Sequence, residues 1–417
     1  MRDGRARFLL VVFGLTVGLI NAEIAFRIAG TAPLSQSAWD SSRGWQLQPG
    51  ASGWQRSEGH AYVTINRDGL RGPEVPMAKP PGTVRIAVLG DSFTEALHVP
   101  YEQSFCAVAE RELNHCSALG NRRAQVIDFG VSGYGTAQEL LTLREKVWRY
   151  SPDIVVLAMC TGNDVSDNSS ALDTDSWLNG ERCRPYFAHR GGELVETTEF
   201  RDSILPHLWC RSNFALRESA IVRVIGDPIV LMYSSVSDRF GSRAPSPVAG
   251  HEPGLDDEVY APPPTPGWNE AWSVTDDLIA ETNCEVVAHG ARFLAVTLSN
   301  PVQDYPDAGY RANYLKAVGG TDIFYPEHRI SALGSRDGFP VLNLAPQLQS
   351  YADTYHAFLH GFSNTKMGEG HFNAQGHKIA GELIAARLCE LIGAPGTSQA
   401  VRKPPAYCAR PRGEPGR

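Results

Sequence analysis

The sequence predicts an α/β fold: a three-layer α/β/α sandwich around a central, mainly five-stranded parallel sheet. Two observations carry this expectation. Five runs rich in Val, Ile, Leu and Ala recur at 84–90, 125–129, 153–160, 292–298 and 340–344 without period-two alternation, as expected of strands covered on both faces. Helical patterns lie between them, and parallel strands need crossovers that place helices on both sides of the sheet. At 417 residues the chain is long enough for one large domain with insertions or for two ordinary ones.

In chain order, the first thirty residues stand apart. Arg2, Arg5 and Arg7 precede an apolar run at 8–20 that continues through Asn21 and Glu23 to Ala29. The basic flank argues for a membrane segment over a buried helix, and the lack of a small-x-small cleavage signal favours an uncleaved anchor over a removed signal peptide. By the positive-inside bias the N-terminus is cytoplasmic and the rest of the chain lies outside, which in a bacterium is the periplasmic side. Residues 31–83 read as an approach to the first strand, with a turn signal at Asn66-Arg67-Asp68-Gly69 and a linker signal at Pro80-Pro81-Gly82.

The domain proper is expected over 84–394. Its helices are placed at 138–149, where Leu140, Leu143 and Val147 share a stripe and Pro152 bars continuation; at 269–289, with Gly290 as the C-cap; and at 374–392, with Asn373 as the N-cap. From 165 to 268 the rhythm breaks. Asp, Ser and Asn crowd the start of that stretch and prolines run together at Pro262-Pro263-Pro264, so it reads as an insertion with a flexible portion. From 395 onward a loosely ordered tail is expected.

A formal net charge of −8 offers no basic footprint for nucleic acid. The eight cysteines form an even set without a C-x-x-C pair. In an oxidising compartment some should be bridged; Cys389 with Cys408 is the expected pair, stapling the tail to the last helix, while Cys160 suits a small buried apolar position in a strand.

Four segments could carry chemistry. Leu89-Gly90-Asp91-Ser92 follows the first strand, so Ser92 sits at the carboxyl edge where open sheets place their sites. The second strand ends in the glycine-rich Phe129-Gly130-Val131-Ser132-Gly133, whose backbone N–H groups could bind an oxyanion; Tyr134 stands where a G-x-S-x-G elbow would need its last glycine. The third strand ends in Thr161-Gly162-Asn163-Asp164, where a side-chain amide can donate to developing negative charge. Glu369-Gly370-His371 precedes the last helix and supplies the base a serine would need. Taken singly, each segment is equally an ordinary turn or cap.

The order Ser, Gly, Asn, His at successive strand ends resembles the SGNH/GDSL hydrolase family, whose blocks match Gly90-Asp91-Ser92, Gly133, Gly162-Asn163-Asp164 and His371. The anchor and the 66–71 segment look like its membrane-anchored bacterial branch. The resemblance implies a flavodoxin-like sandwich with Ser92 as nucleophile and His371 as base. It implies an oxyanion hole made by the Ser92 and Gly133 amides with the Asn163 side chain. It needs no metal and no organic cofactor. One position departs from the pattern: the family places Asp two or three residues before the histidine, and this chain has Gly368 and Glu369 there. Glu369 is therefore expected to complete the triad, the alternative being a Ser-His dyad. The implied activity is hydrolysis of O-acyl, chiefly O-acetyl, esters of an extracytoplasmic carbohydrate or lipid. An O-acyltransferase acting on envelope polysaccharide with the same triad is the runner-up, and a non-catalytic anchored binding protein the third reading. A zinc site on His356 and His360, spaced i, i+4, lacks a third ligand.

Overall fold

The computed structural model describes residues 2–30, 35–172, 183–197, 199–226, 251–252, 254–394 and 408. Five parallel strands form its central sheet: β5 (Thr83–Gly90), β6 (Arg123–Asp128), β7 (Ile154–Cys160), β10 (Arg292–Leu298) and β11 (Val341–Asn343), in the order β11-β10-β7-β5-β6. Alternate side chains of each strand enter different cores. Ala87 and Leu89 pack with the helices Thr136–Glu145 and Pro266–Ala288, whereas Ile86 and Val88 pack with Phe105–Leu113 and Ala374–Gly393. Both faces are therefore apolar, which is why the strands read as continuous runs. The three-layer sandwich is the expected one.

Chain order reverses across β5, whose neighbours are β6 and β7. The carboxyl end of such a strand is a topological switch point, where diverging loops leave a crevice.

Short antiparallel hairpins precede the sheet. β1 (Ser37–Asp40) pairs with β2 (Gly44–Leu47), and β3 (Ser52–Gln55) with β4 (Ala61–Thr64). This region is bolted to the domain. Asn66 Oδ1 accepts the amides of Asp68 and Leu70 (both 3.0 Å), and the buried Arg71 guanidinium donates to the carbonyls of Glu95 and Val99 (both 2.6 Å), just beyond Ser92. Within the insertion, β8 (Tyr186–Arg190) pairs with β9 (Glu193–Thr197), and the helix Ile204–Arg217 packs Cys210 and Phe214 beside Trp45 and Leu47. The tail from 395 lies outside the described residues apart from Cys408, as does 227–250 of the insertion, whereas Pro262-Pro263-Pro264 is described and leads into the helix Pro266–Ala288.

The disulfides correct one expectation. Cys389 pairs with Cys116 and Cys408 with Cys284, and a third bridge joins Cys183 to Cys210. Cys389 faces the neighbouring helix layer on its own side of the sheet, whereas Cys408 is held against Pro266–Ala288 in the opposite layer. Cys160 is a free, buried thiol, as is Cys106.

The N-terminal helix Arg2–Ala29 contains the 26-residue span Gly4–Ala29, in which an 18-residue stretch has a mean hydropathy of 2.1 and is not buried. It is long and apolar enough to span a membrane or to act as a signal sequence.

Candidate active site

Ser92 opens a one-turn helix directly after β5. Asp91 caps that turn, its Oδ1 accepting the Phe93 amide at 2.9 Å, and its burial raises the carboxyl pKa to about 6. His371 arrives from the loop before the last helix, where Asn373 accepts the Gln375 and Gly376 amides as the N-cap. The Ser92 hydroxyl lies 2.8 Å from His371 Nε2. With Nε2 aimed at a hydroxyl and Nδ1 at a carboxylate, the imidazole carries its proton on Nδ1 and offers a lone pair to the serine.

The carboxylate is Glu58. It lies in the loop between β3 and β4, and its Oε2 accepts from His371 Nδ1 at 2.8 Å while its Oε1 accepts the His371 backbone amide at 2.7 Å. Burial pushes the Glu58 carboxyl up, but the hydrogen bonds and charge of His371 outweigh it and leave the pKa below the usual value. Glu369 does not occupy this place: its carboxylate pairs with Lys366, pointing away along its own loop. The backbone explains the difference. Gly370 turns at a φ of +77°, and a Cβ there would meet Glu58 Oε1 at 2.2 Å, so the missing side chain is the slot through which Glu58 reaches the histidine.

Further residues hold the carboxylate and the imidazole in place. Asn364 grips its loop, accepting the Gly59 amide (3.0 Å) and donating to the carbonyls of Arg56 (2.9 Å) and Gly59 (3.0 Å). His98 stacks on His371 with ring centroids 3.9 Å apart and planes 20° from parallel, and its Nε2 lies 3.4 Å from Glu58 Oε2. Burial holds the His98 pKa well below its ordinary value, so the ring is neutral. Phe93 covers the other side of His371 at 4.8 Å. Glu252 accepts the Gly370 amide at 2.8 Å, and His360 donates from Nδ1 to the Gly370 carbonyl at 2.8 Å. The backbone of the loop carrying His371 is thus held on both its N–H and C=O sides.

The ligand atoms of Glu58, His98 and His371 lie within 4.8 Å of one another. Imidazoles bind metals in their ring planes, and two stacked rings share no such point, so the cluster suits a hydrogen-bonded carboxylate better than a cation. The His356 and His360 pair does not lie on one helical face. The helix ends at Tyr355, His356 adopts a left-handed backbone at φ +50°, and His360 is buried against Asp304.

Gly133 and Asn163 occupy the loops that follow β6 and β7, at the same sheet edge as Ser92. Among the described residues none accepts the Ser92 or Gly133 backbone N–H. The neighbouring Ser132 amide donates to Glu95 Oε2 at 2.6 Å, which ties this loop to the turn that carries Ser92. Asn163 Nδ2 donates one hydrogen to Asp167 at 3.2 Å and retains a second. Sequence reading missed Glu58, His98 and Asn364. The one available signal was negative: no Asp at the usual spacing before His371.

No family model matches the chain, and no curated protein matches it. Among solved structures it is similar to an α/β hydrolase enzyme from the metagenome of Lake Arreo, Spain (13% identity, 75% of this chain and 96% of that one, TM-score 0.36). It is also similar to an acetyl xylan esterase (9%, 73% and 100%, TM-score 0.36) and to a GDSL-like lipase from Bacteroides thetaiotaomicron (13%, 76% and 92%, TM-score 0.32).

Proposed function

We propose that this chain is a membrane-anchored serine esterase of the SGNH/GDSL type, acting through a Ser92-His371-Glu58 triad on O-acyl esters outside the cytoplasm. The observation that carries the proposal is the unbroken hydrogen-bonded line from Ser92 Oγ through both nitrogens of His371 to Glu58, at 2.8 Å on each side. His371 Nε2 takes the hydroxyl proton as Ser92 Oγ attacks the ester carbonyl, and Glu58 stabilises the resulting imidazolium. The Ser92 and Gly133 amides and the Asn163 side chain receive the oxyanion. Collapse expels the alcohol, protonated by His371, and water then deacylates the serine by the same route.

Three disulfides suit an oxidising compartment, consistent with a domain outside the cytoplasm. The membrane-anchored exterior leaves O-acetylated glycans and lipids as the substrates to try first.

The test is release of p-nitrophenol from acetate and longer-chain esters by the full chain in detergent, beside Ser92→Ala. Turnover abolished in the variant, with a fluorophosphonate adding one equivalent to Ser92 in the parent, is the expected result. Unchanged turnover in Ser92→Ala, or no labelling of Ser92, would sink it.

A further inference from the structure

The helix Ile204–Arg217 is amphipathic in an unusual sense: both of its faces are apolar. Its inner face sets Cys210 and Phe214 against the domain, with Phe214 tilted on Trp39 at 6.2 Å and Cys210 bridged to Cys183. Its outer face carries Leu205, Leu208, Trp209 and Leu216, which at 3.6 residues per turn fall on one stripe with Ser212 between them. That stripe is open: Leu205 is 79%, Leu208 53% and Leu216 60% exposed. Val222 and Ile225, three residues apart in the helical turns that follow, are exposed as well. A contiguous apolar surface of this kind marks an interaction site.

The chain itself indicates what covers it. Near its end the N-terminal helix is hydrogen-bonded to the segment carrying this surface. Glu23 accepts the Ser219 hydroxyl (2.8 Å) and the amides of Ala220 (2.9 Å) and Ile221 (3.1 Å), and Arg27 donates to the Glu218 carbonyl (2.8 Å). Glu23 therefore caps the N-terminus of the helical segment 220–226, where a carboxylate complements the exposed amides and the dipole. The stripe ends at Leu216, two residues before the Glu218 carbonyl that Arg27 holds, so its C-terminal end lies beside the end of the N-terminal helix. Trp209, partly exposed on that stripe, is the residue type that settles at the level of lipid headgroups.

We propose that the outer face of Ile204–Arg217, with Val222 and Ile225, is an interfacial helix that lies in the surface of the bilayer entered by the N-terminal helix. The protein then has a second membrane contact besides its anchor. A helix lying flat beside a tethered span fixes the orientation of the domain, because two non-collinear contacts remove the rotation that a single span leaves free. Apolar side chains of such helices sink about 5–10 Å into the headgroup region.

The test uses the full chain reconstituted in lipid vesicles, with nitroxide labels introduced singly at Leu208→Cys, Val12→Cys and Gln347→Cys. Leu208 and Gln347 are exposed, and Val12 lies on the unburied N-terminal helix, so none of the labels disturbs packing. The expected result is a Leu208 label that collides with oxygen and is shielded from an aqueous nickel chelate, as the Val12 label is, while the Gln347 label shows the reverse. A Leu208 label as accessible to nickel as Gln347 overturns the proposal, as does one shielded from both quenchers, which would mark contact with protein. A Val12 label in water overturns it too, since the surface would then have no bilayer beside it.

Discussion

Replacing Glu58 by Gln keeps the size of the side chain but removes the charge that stabilises an imidazolium, and it lets the amide donate where His371 Nδ1 needs an acceptor. The loss of a triad carboxylate costs about 10²–10⁴-fold in kcat/KM, and that range is expected for Glu58→Gln. Glu369→Ala should stay within about twofold, because that carboxylate pairs with Lys366 and makes no contact with the histidine. Steady-state ester hydrolysis by both variants checks the assignment, and equal losses would return the role to Glu369. At this scale the sequence was half legible. Ser92 and His371 could be picked out because each sits at a strand end or before a helix, and such positions follow from local pattern. Glu58 could not. It lies 313 residues from His371 in a loop between two four-residue strands, and nothing in Gln55-Arg56-Ser57-Glu58-Gly59 distinguishes it from a solvated turn.

At the scale of elements, the β3–β4 hairpin brings Glu58 to His371 through its loop. Among the described residues its loop is fastened by the Asn364 side chain, so Asn364→Ala removes three hydrogen bonds from the loop that carries Glu58. We expect kcat to fall by about tenfold with KM little changed, since the substrate site is untouched while the carboxylate loses its fixed geometry. Asn364→Asp, which can still accept from Gly59, should recover part of the loss. A melting curve like that of the parent beside a reduced kcat would separate positioning from unfolding. The bridges are the second element-scale prediction. Cys116–Cys389 closes a 273-residue separation, and Cys116→Ser should lower stability by about 2–5 kcal/mol in denaturant titrations. Strands and major helices were legible because both sheet faces are apolar and the caps are explicit. The cysteine pairing was not, since it depends on which layer each helix joins.

For the molecule as a whole, buried acids set the response to pH. Burial is the leading cause in each case: it raises Glu252 to about 7, and Asp256 and Glu327 to about 8, with Asp91 at about 6. A carboxyl whose pKa is higher folded than unfolded binds more protons in the fold. Its stabilising contribution is complete below the unfolded value, near 4, and is lost as pH rises through the folded one. His360, also raised, acts in the same direction. Glu58 and Asp40, both lowered, act in the opposite direction at pH values below the ordinary carboxylate range, and His98 and His377, held low by burial, oppose the raised acids up to the unfolded histidine value of about 6.5. Above about pH 7 the histidines no longer contribute and the raised acids dominate, so the fold should melt at a lower temperature at pH 8.5 than at pH 7. Glu327 isolates the effect. It is buried, with Oε1 accepting from Gln303 at 2.9 Å and Oε2 without a hydrogen-bond partner among the described residues, which suits a protonated acid. Glu327→Gln keeps the shape and removes the titration, so its melting temperature should fall less between the two pH values than that of the parent. A variant that keeps the full pH-dependent drop would show that the sensitivity resides in other groups.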